Sequence, residues 1–320
     1  MPYFSADDIA VDNVVMLPYQ KQRITESNEL IKSGAVYTDG VLDASAASEN
    51  TNSVNVPFIN PLEGDYQVLQ ERNTDMPVHG LNMGNQIGLI SVLENAWGSH
   101  LLPNLLTKPD IMLEIANMTG DYWSSRISER AFNTMKGIFA SGSMSTNVLK
   151  TTEPFSGLAV INARSKLKSR GKELNTLLVN SATAALIDIE QYKNNMNRTN
   201  EINGVRTYLG FNVVEDDSVE DNVAYLLKPR ALAYGNATAS LGKWATQIDT
   251  NPLQSKEALV SRQKIILHPN GVSWTGPIDR SFATAAMLED GNNWGRVYNP
   301  GNVGIVKIEF NASEVSTPDV

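Results

Sequence analysis

The spacing of apolar residues changes several times along the chain, and each rhythm predicts a different kind of element. Over residues 1–53 the sequence is rich in Ser, Asn, Asp and Ala, and apolar residues such as Ile24, Leu30 and Ile31 are sparse and show no sustained period. Such a segment cannot bury enough apolar surface to order itself, so it stays loose or lies along something else; it reads as an N-terminal arm. From Val54 to about Asn95 come short extended pieces, VNVPF, YQVL and NQIGLISVLENAW, punctuated by Pro57, Pro61, Gly64, Pro77, Gly80 and Gly84. Ile87, Leu89, Ser91 and Leu93 alternate with Gly88, Ile90 and Val92, which predicts a long β-hairpin or extended loop, mildly apolar on both faces, rather than a compact sheet.

The longest helical signal follows. Ile111, Ile115, Met118 and Tyr122 step by four, three and four, and Trp123, Ile127, Ala131, Met135 and Ile138 continue along a neighbouring stripe. Thr107 with Pro109 supplies a start and Gly142 an end. At ~1.5 Å per residue, a helix from Pro109 to Ala140 runs roughly 45–50 Å, with Gly120 placed to weaken or bend it midway.

After a polar linker over 141–153, FSGLAVINARSKLKSRG predicts a second helix closed by Gly171, NTLLVNSA a strand and TAALIDIEQYKNNM a helix. GVRTYLGFNVVEDD predicts a strand, buried from Leu209 to Val214, entering a turn. Further strands are predicted in VAYLLK, ALAYG and KIILHPNGVSW, and a late one, VGIVKIEF, in a tail otherwise rich in Gly, Asn and Pro. The mixture of elements over about 155–275 points to an α+β or mixed α/β region.

Composition narrows what such a chain does. With 320 residues, 42% hydrophobic and 19% charged, it is large enough for one elaborated domain or two ordinary ones. Its 26 basic and 35 acidic residues give a net charge of −9 with no Lys/Arg block, so the counterion release that drives tight nucleic-acid binding is missing. There are no cysteines, which removes disulfides, zinc–cysteine sites and thiol nucleophiles together. No basic, apolar start of a secretory signal stands at the N-terminus, and no apolar run is long enough to span a membrane.

Candidate chemistry is thin. His79, His100 and His268 lie far apart, none with a His, Asp or Glu at i+3 or i+4, so each reads as a surface or packing histidine. There is no G-x-S-x-G elbow, G-x-G-x-x-G or complete phosphate loop; Gly171 before Lys172 reads as a helix-terminating glycine. Glu215, Asp216 and Asp217 form the only dense acidic cluster beside an apolar run. Successive strand side chains point to opposite faces, so three consecutive acids do not converge on one ion, and Asp readily starts turns. The turn reading therefore outweighs a metal site. Tyr122 with Trp123, and Trp274, read as core anchors, since base stacking would want interleaved Arg and Lys.

Several segments nevertheless stand in a telling order. VPFIN with LEGD (Val56–Asn60, Leu62–Asp65), YWSSRISERAFNTMKGIFA (with Trp123, Arg126, Glu129 and Met135–Phe139), YLGFNVVEDD, ALAYG and LHPNGVSW together resemble the major capsid proteins of tailed bacteriophages, of the Hong Kong 97-type fold, and among them the major capsid protein 13-like coats. The resemblance covers about residues 50–276; the first 50 residues and the last 40 depart from it.

What the resemblance implies is a non-enzymatic structural subunit with an α+β Hong Kong 97-type fold, no cofactor and no metal. Its parts would be an N-terminal arm over 1–53, an extended loop over 54–100, a spine helix and part of a peripheral domain over 101–154, an axial, capsomer-centre domain over 155–265, and peripheral return strands with a tail over 266–320. Copies of the chain would form hexamers and pentamers in a closed shell. Scaffold, portal and decoration proteins would be its other partners, packaged DNA would be contacted weakly, and no membrane would be involved; the subunit would assemble in the host cytoplasm and reside in the virion. Trp123, Arg126, Glu129, Phe139, Glu215, Asp216, Asp217 and Trp274 are the structural or inter-subunit candidates, the carboxylates facing solvent or a neighbour's basic group. No Lys lies between Val54 and Leu106, so the shell is expected to hold without lysine crosslinks. Two alternatives stay open: an encapsulin-like prokaryotic compartment shell, and a metal-dependent hydrolase using Glu215–Asp217.

The bottom-up pattern agrees with a shell. A loose arm, a long hairpin and a helix too long for a small core leave apolar surface that only neighbours would cover.

Overall fold

The 32-residue helix α4, Pro109–Ala140, organises the molecule, because its second predicted stripe is the one that buries. Trp123, Ile127, Ala131, Met135 and Ile138 are all at most 2% exposed and share one core with Leu178, Tyr225, Leu232, Ile265 and Trp274. Met118, placed by spacing on the first stripe, is instead 65% exposed. In this computed structural model of the chain, the described residues are 13–47, 52–59, 66, 83–98, 109–193, 201–202, 205–251, 256–278 and 283–311.

The N-terminal segment is not a loose arm from residue 13 onward. Helices α1 (Asn13–Ser27) and α2 (Glu29–Lys32), strand β1 (Val36–Thr38) and helix α3 (Gly40–Ala47) fold against their own chain. Ile24, Leu30, Ala35 and Val36 join the core around α4. The docking of α1 onto α4 is largely polar, which is why apolar spacing did not reveal it. Gln20 Nε2 donates to Thr119 Oγ1 at 2.6 Å, Asn28 Nδ2 donates to the Ser124 carbonyl and Ser128 Oγ, and Arg23 pairs twice with Asp121 at 2.7 and 2.8 Å. At Gly120 the helix α4 continues without a break. A Cβ there would stand 2.9 Å from the Arg23 side chain, so glycine lets the two helices approach.

Two sheets divide the rest. The first runs β1–β10–β12–β3–β2, with β11 added to β12; its members are β2 (Ser53–Ile59), β3 (Met83–Gly98), β10 (Leu232–Asn236), β11 (Thr246–Asn251) and β12 (Lys256–Pro269). The predicted hairpin is present as the antiparallel pair β2/β3, with Ser53 opposite Leu89 and Ile59 opposite Met83; YQVL lies outside the described residues except Tyr66. The inner half of β3, Ile90–Gly98, is no free loop, for it pairs with β12 and is part of the sheet.

The second sheet runs β4–β15–β9–β5–β8–β7–β6, from β4 (Val148–Lys150), β5 (Thr176–Val179), β6 (Glu201–Ile202), β7 (Val205–Tyr208), β8 (Phe211–Glu215), β9 (Val223–Leu227) and β15 (Ile305–Glu309). Helices α5 (Gly157–Ser165) and α6 (Ser181–Lys193) cover one face through a core of Val160, Ala163, Leu177, Val179, Ile187, Val213 and Leu226. The boundary expected at 155–265 therefore falls elsewhere. Residues 232–269 belong to the α4 sheet, while 148–150 and 305–309, outside that range, are strands of the α5/α6 sheet.

Two local readings also change. GVRTYLGFNVVEDD is not one strand: Leu209 (φ 51°) and Gly210 (φ 83°) form a two-residue turn, with Tyr208 opposite Phe211, so the chain reverses where a continuous strand was expected. Positive φ at both central residues is the hairpin geometry that matches strand twist, and Leu209 takes it at an exposed position. Helix α5 ends at Ser165 rather than at Gly171. A 3₁₀ turn, Lys168–Glu173, follows, and Gly171 is required because a Cβ there would overlap the Arg164 carbonyl oxygen.

The C-terminal part closes the back of α4. Strands β13 (Val272–Trp274) and β14 (Trp294–Arg296) pair, and helix α7 (Ala285–Glu289) rests on α4 at Gly137, where any Cβ would overlap the Leu288 carbonyl oxygen.

Candidate functional site

The acidic cluster resolves into three separate local tasks. Glu215 ends β8 and lies 3.9 Å from Arg206 Nη1 of the same chain. Asp216 Oδ1 accepts from the Ser218 N–H at 2.9 Å, a turn closed by its own side chain. Asp217 Oδ1 accepts from the Ser181 N–H at 3.0 Å, at the start of α6, and the Ser181 hydroxyl and backbone hold its carboxyl below the usual carboxylate range. An anion at a helix N-terminus satisfies otherwise orphaned donors. The carboxylates thus have partners within the subunit, and among the described residues no group of His, Asp and Glu is arranged to hold a metal ion.

The aromatic candidates are internal. Trp123 donates Nε1–H to Ser261 Oγ at 3.0 Å, tying α4 to β12, and packs edge-on to Tyr122 at 5.0 Å. Trp274 meets Trp294 edge-on at 5.1 Å and donates to the Pro277 carbonyl. Phe139 lies against Tyr225, 5.8 Å between centroids, joining α4 to the second sheet. Arg126 and Glu129 form an exposed i,i+3 pair at 2.6 Å. His268, read as surface or packing, is a core residue whose Nε2 is 2.9 Å from Gln86 Oε1, and burial pushes its pKa down to about 4. His79 and His100 lie outside the described residues.

An apolar surface emerges that no motif flagged. Leu158 (61% exposed) and Ile161 stand on the outer face of α5, Ile189 and Tyr192 (86% exposed) on α6, and Leu209 at the β7/β8 turn. These elements meet: a Cβ on Gly157 would lie 3.0 Å from the Leu209 side chain, and Glu190 of α6 accepts both the Gly157 N–H at 3.1 Å and the Tyr208 hydroxyl at 2.6 Å. The sequence did hold a signal. LAVINA in α5 is apolar on nearly every side, whereas a helix with one buried face would alternate.

The antiparallel β2/β3 pair, the long helix α4 with α1 docked on it, and a second sheet covered by α5 and α6 together define the fold. Its class is the α+β Hong Kong 97-type fold of phage capsid subunits, and three comparisons with solved structures carry this. The chain superimposes on a chain from Mycobacterium phage Bobi (TM-score 0.54, 11% identity, 90% of this chain and 91% of that one), on one from the satellite phage P4 procapsid that includes the size determination (Sid) protein (0.54, 10%, 92% and 91%), and on one from the capsid of Ralstonia phage GP4 (0.52, 11%, 90% and 89%). In sequence the chain is similar to the major capsid protein of Bacillus phage SPP1, with 29% identity over 330 residues, covering 97% of this chain and 98% of that one. No family model matches the chain.

Proposed function

We propose that the chain is the structural subunit of a phage head: copies of it join into capsomers and close into the icosahedral shell that encloses the genome. The observation that carries this reading is the similarity to the SPP1 major capsid protein along 97% of this chain and 98% of that one. The exposed α5/α6 surface supports it, because apolar area of that kind is stable in a shell where neighbours cover it. The role is non-enzymatic, with no cofactor. The α5/α6 sheet serves as the axial domain around capsomer centres and the α4 sheet as the peripheral one, with the β2/β3 hairpin reaching over a neighbour. Scaffold, portal and decoration proteins are its further partners, packaged DNA is held weakly by an acidic wall, and assembly takes place in the host cytoplasm. The shell holds without covalent links.

Negative-stain microscopy of the purified chain is the test. Uniform hollow shells are expected, migrating as single subunits on denaturing gels. A field of small monomers at assembly concentration overturns the reading, and a ladder of linked subunits overturns the non-covalent shell.

A further inference from the structure

Between β3 and α4 lies an open groove of about 320 Å³, lined by Val92, Glu94, Trp123, Arg126 and Arg130 among others. Arg130 is partly buried there, and its bonding is lopsided. Nη2 donates to both Ser91 Oγ and the Ala283 carbonyl oxygen, whereas Nε and Nη1 have no partner among the described residues. The two carboxylates beside it are already committed, Glu129 to Arg126 at 2.6 Å and Glu94 to Arg262 at 3.2 Å. Among the described residues no carboxylate pairs with Arg130. A guanidinium withdrawn from water without an anionic partner is an unfavourable arrangement, and loss of solvent pulls its pKa down to about 10. Both Nη2 hydrogens are spent, so the unspent Nε–H and Nη1 hydrogens each offer a single charge-assisted hydrogen bond to a carboxylate oxygen rather than a fork.

We propose that the Arg130 groove is a carboxylate dock between subunits, taking an Asp or Glu side chain of a second copy of this chain. The proposal rests on the shell reading above. The occupant follows from size and charge. The groove accommodates one side chain rather than a helix, and a chain with 35 acidic against 26 basic residues brings carboxylates in excess to every contact. The two existing bonds of Nη2 fix the guanidinium before the partner arrives, so little rotamer freedom is lost on docking.

The test uses assembled shells. Shells of the Arg130→Lys variant, built from a mixture of light and ¹⁵N-labelled subunits, are treated with a carbodiimide, which joins an amine to a carboxylate in direct contact. Peptide mass spectrometry is expected to find position 130 linked to an Asp or Glu peptide of the other isotope. Position 130 unreacted, or linked only within its own isotope, overturns the proposal. Arg130→Gln supplies a second measurement, independent of the lysine variant: its shells are expected to release capsomers at least about tenfold faster, with the melting temperature of dissociated subunits unchanged relative to the shell effect. Shells as durable as the wild type, or a loss matched fully by subunit melting, overturn it. Failure of the wild-type chain to form shells is a different result, and sinks the shell reading itself.

Discussion

The α1/α4 junction and the α5/α6 surface solve the same problem, a helix face in need of cover, in opposite ways. Along α4, Gln20 and Arg23 of α1 and Asn28, which caps α2, meet Thr119, Asp121, Ser124 and Ser128 bond for bond, while Ile24 and Leu30 fill the space between. That face is complete within one chain. On α5 and α6 the inner residues are buried and the outer ones, Leu158, Ile161, Ile189 and Tyr192, are apolar and bare. On the proposed shell reading, the difference separates what a subunit needs to fold from what it would offer to a neighbour: directional polar pairs make a fixed internal joint, and non-directional apolar area would tolerate varied angles between copies.

The sharpest way to break the comparison is to remove the internal cover. Deleting residues 1–47 takes Ile24, Leu30, Ala35 and Val36 out of the core and leaves the α4 side of the joint unsatisfied. Insoluble or unfolded protein is expected, seen by circular dichroism and gel filtration. A truncated chain that stays folded and fails only to close shells would restore the arm interpretation of that region. Gly137→Ala comes next, with an expected cost of roughly 3 kcal/mol in chemical denaturation, since its Cβ would overlap the Leu288 carbonyl oxygen and overpacking against backbone relaxes poorly.

The His268 contribution to pH dependence belongs to the α4 half, where that residue is buried. Its pKa is held down near 4 by burial, below the unfolded value of about 6.5, so the unfolded chain takes up the proton first. Stability is therefore full above about pH 6.5 and is lost as pH falls toward 4, by up to about 3 kcal/mol. Thermal melts across that window should show the decline, and a His268→Gln variant should flatten it; an unchanged slope would assign the acid sensitivity to other groups. The smallest stability effect belongs to the open face. Leu158→Ser with Ile161→Ser should shift subunit stability by no more than about 0.5 kcal/mol, because little burial is lost, while shell yield falls severalfold by sedimentation. Equal yield would remove that surface from the assembly contacts.

The local elements were legible to different degrees, for physical reasons. Helix α4 runs over the span that its two stripes and Pro109 predicted, and β5, α6, β9, β10 and β15 lie where their apolar runs stood, because side-chain period and terminal residues are local properties. The Leu209–Gly210 reversal was missed because leucine is an unusual residue at positive φ and the flanking apolar run continues through it. The docked α1 was missed because Gln20 and Asn28, which dock it, look like surface residues until their partners a hundred positions away are known.

By itself, then, the sequence determined the long helix, most strands, the absence of sulfur chemistry and the capsid resemblance, all of which are written in spacing, composition and order of segments. Only the tertiary structure decided which strands share a sheet. It set β15 beside β4 and β9 and placed β12 between β10 and β3, pairings between residues far apart in sequence, fixed by register and core burial rather than by any local signal. It also decided that three neighbouring acids do three separate jobs, and it set Arg130 in a groove with its Nη2 bonded to Ser91 and Ala283.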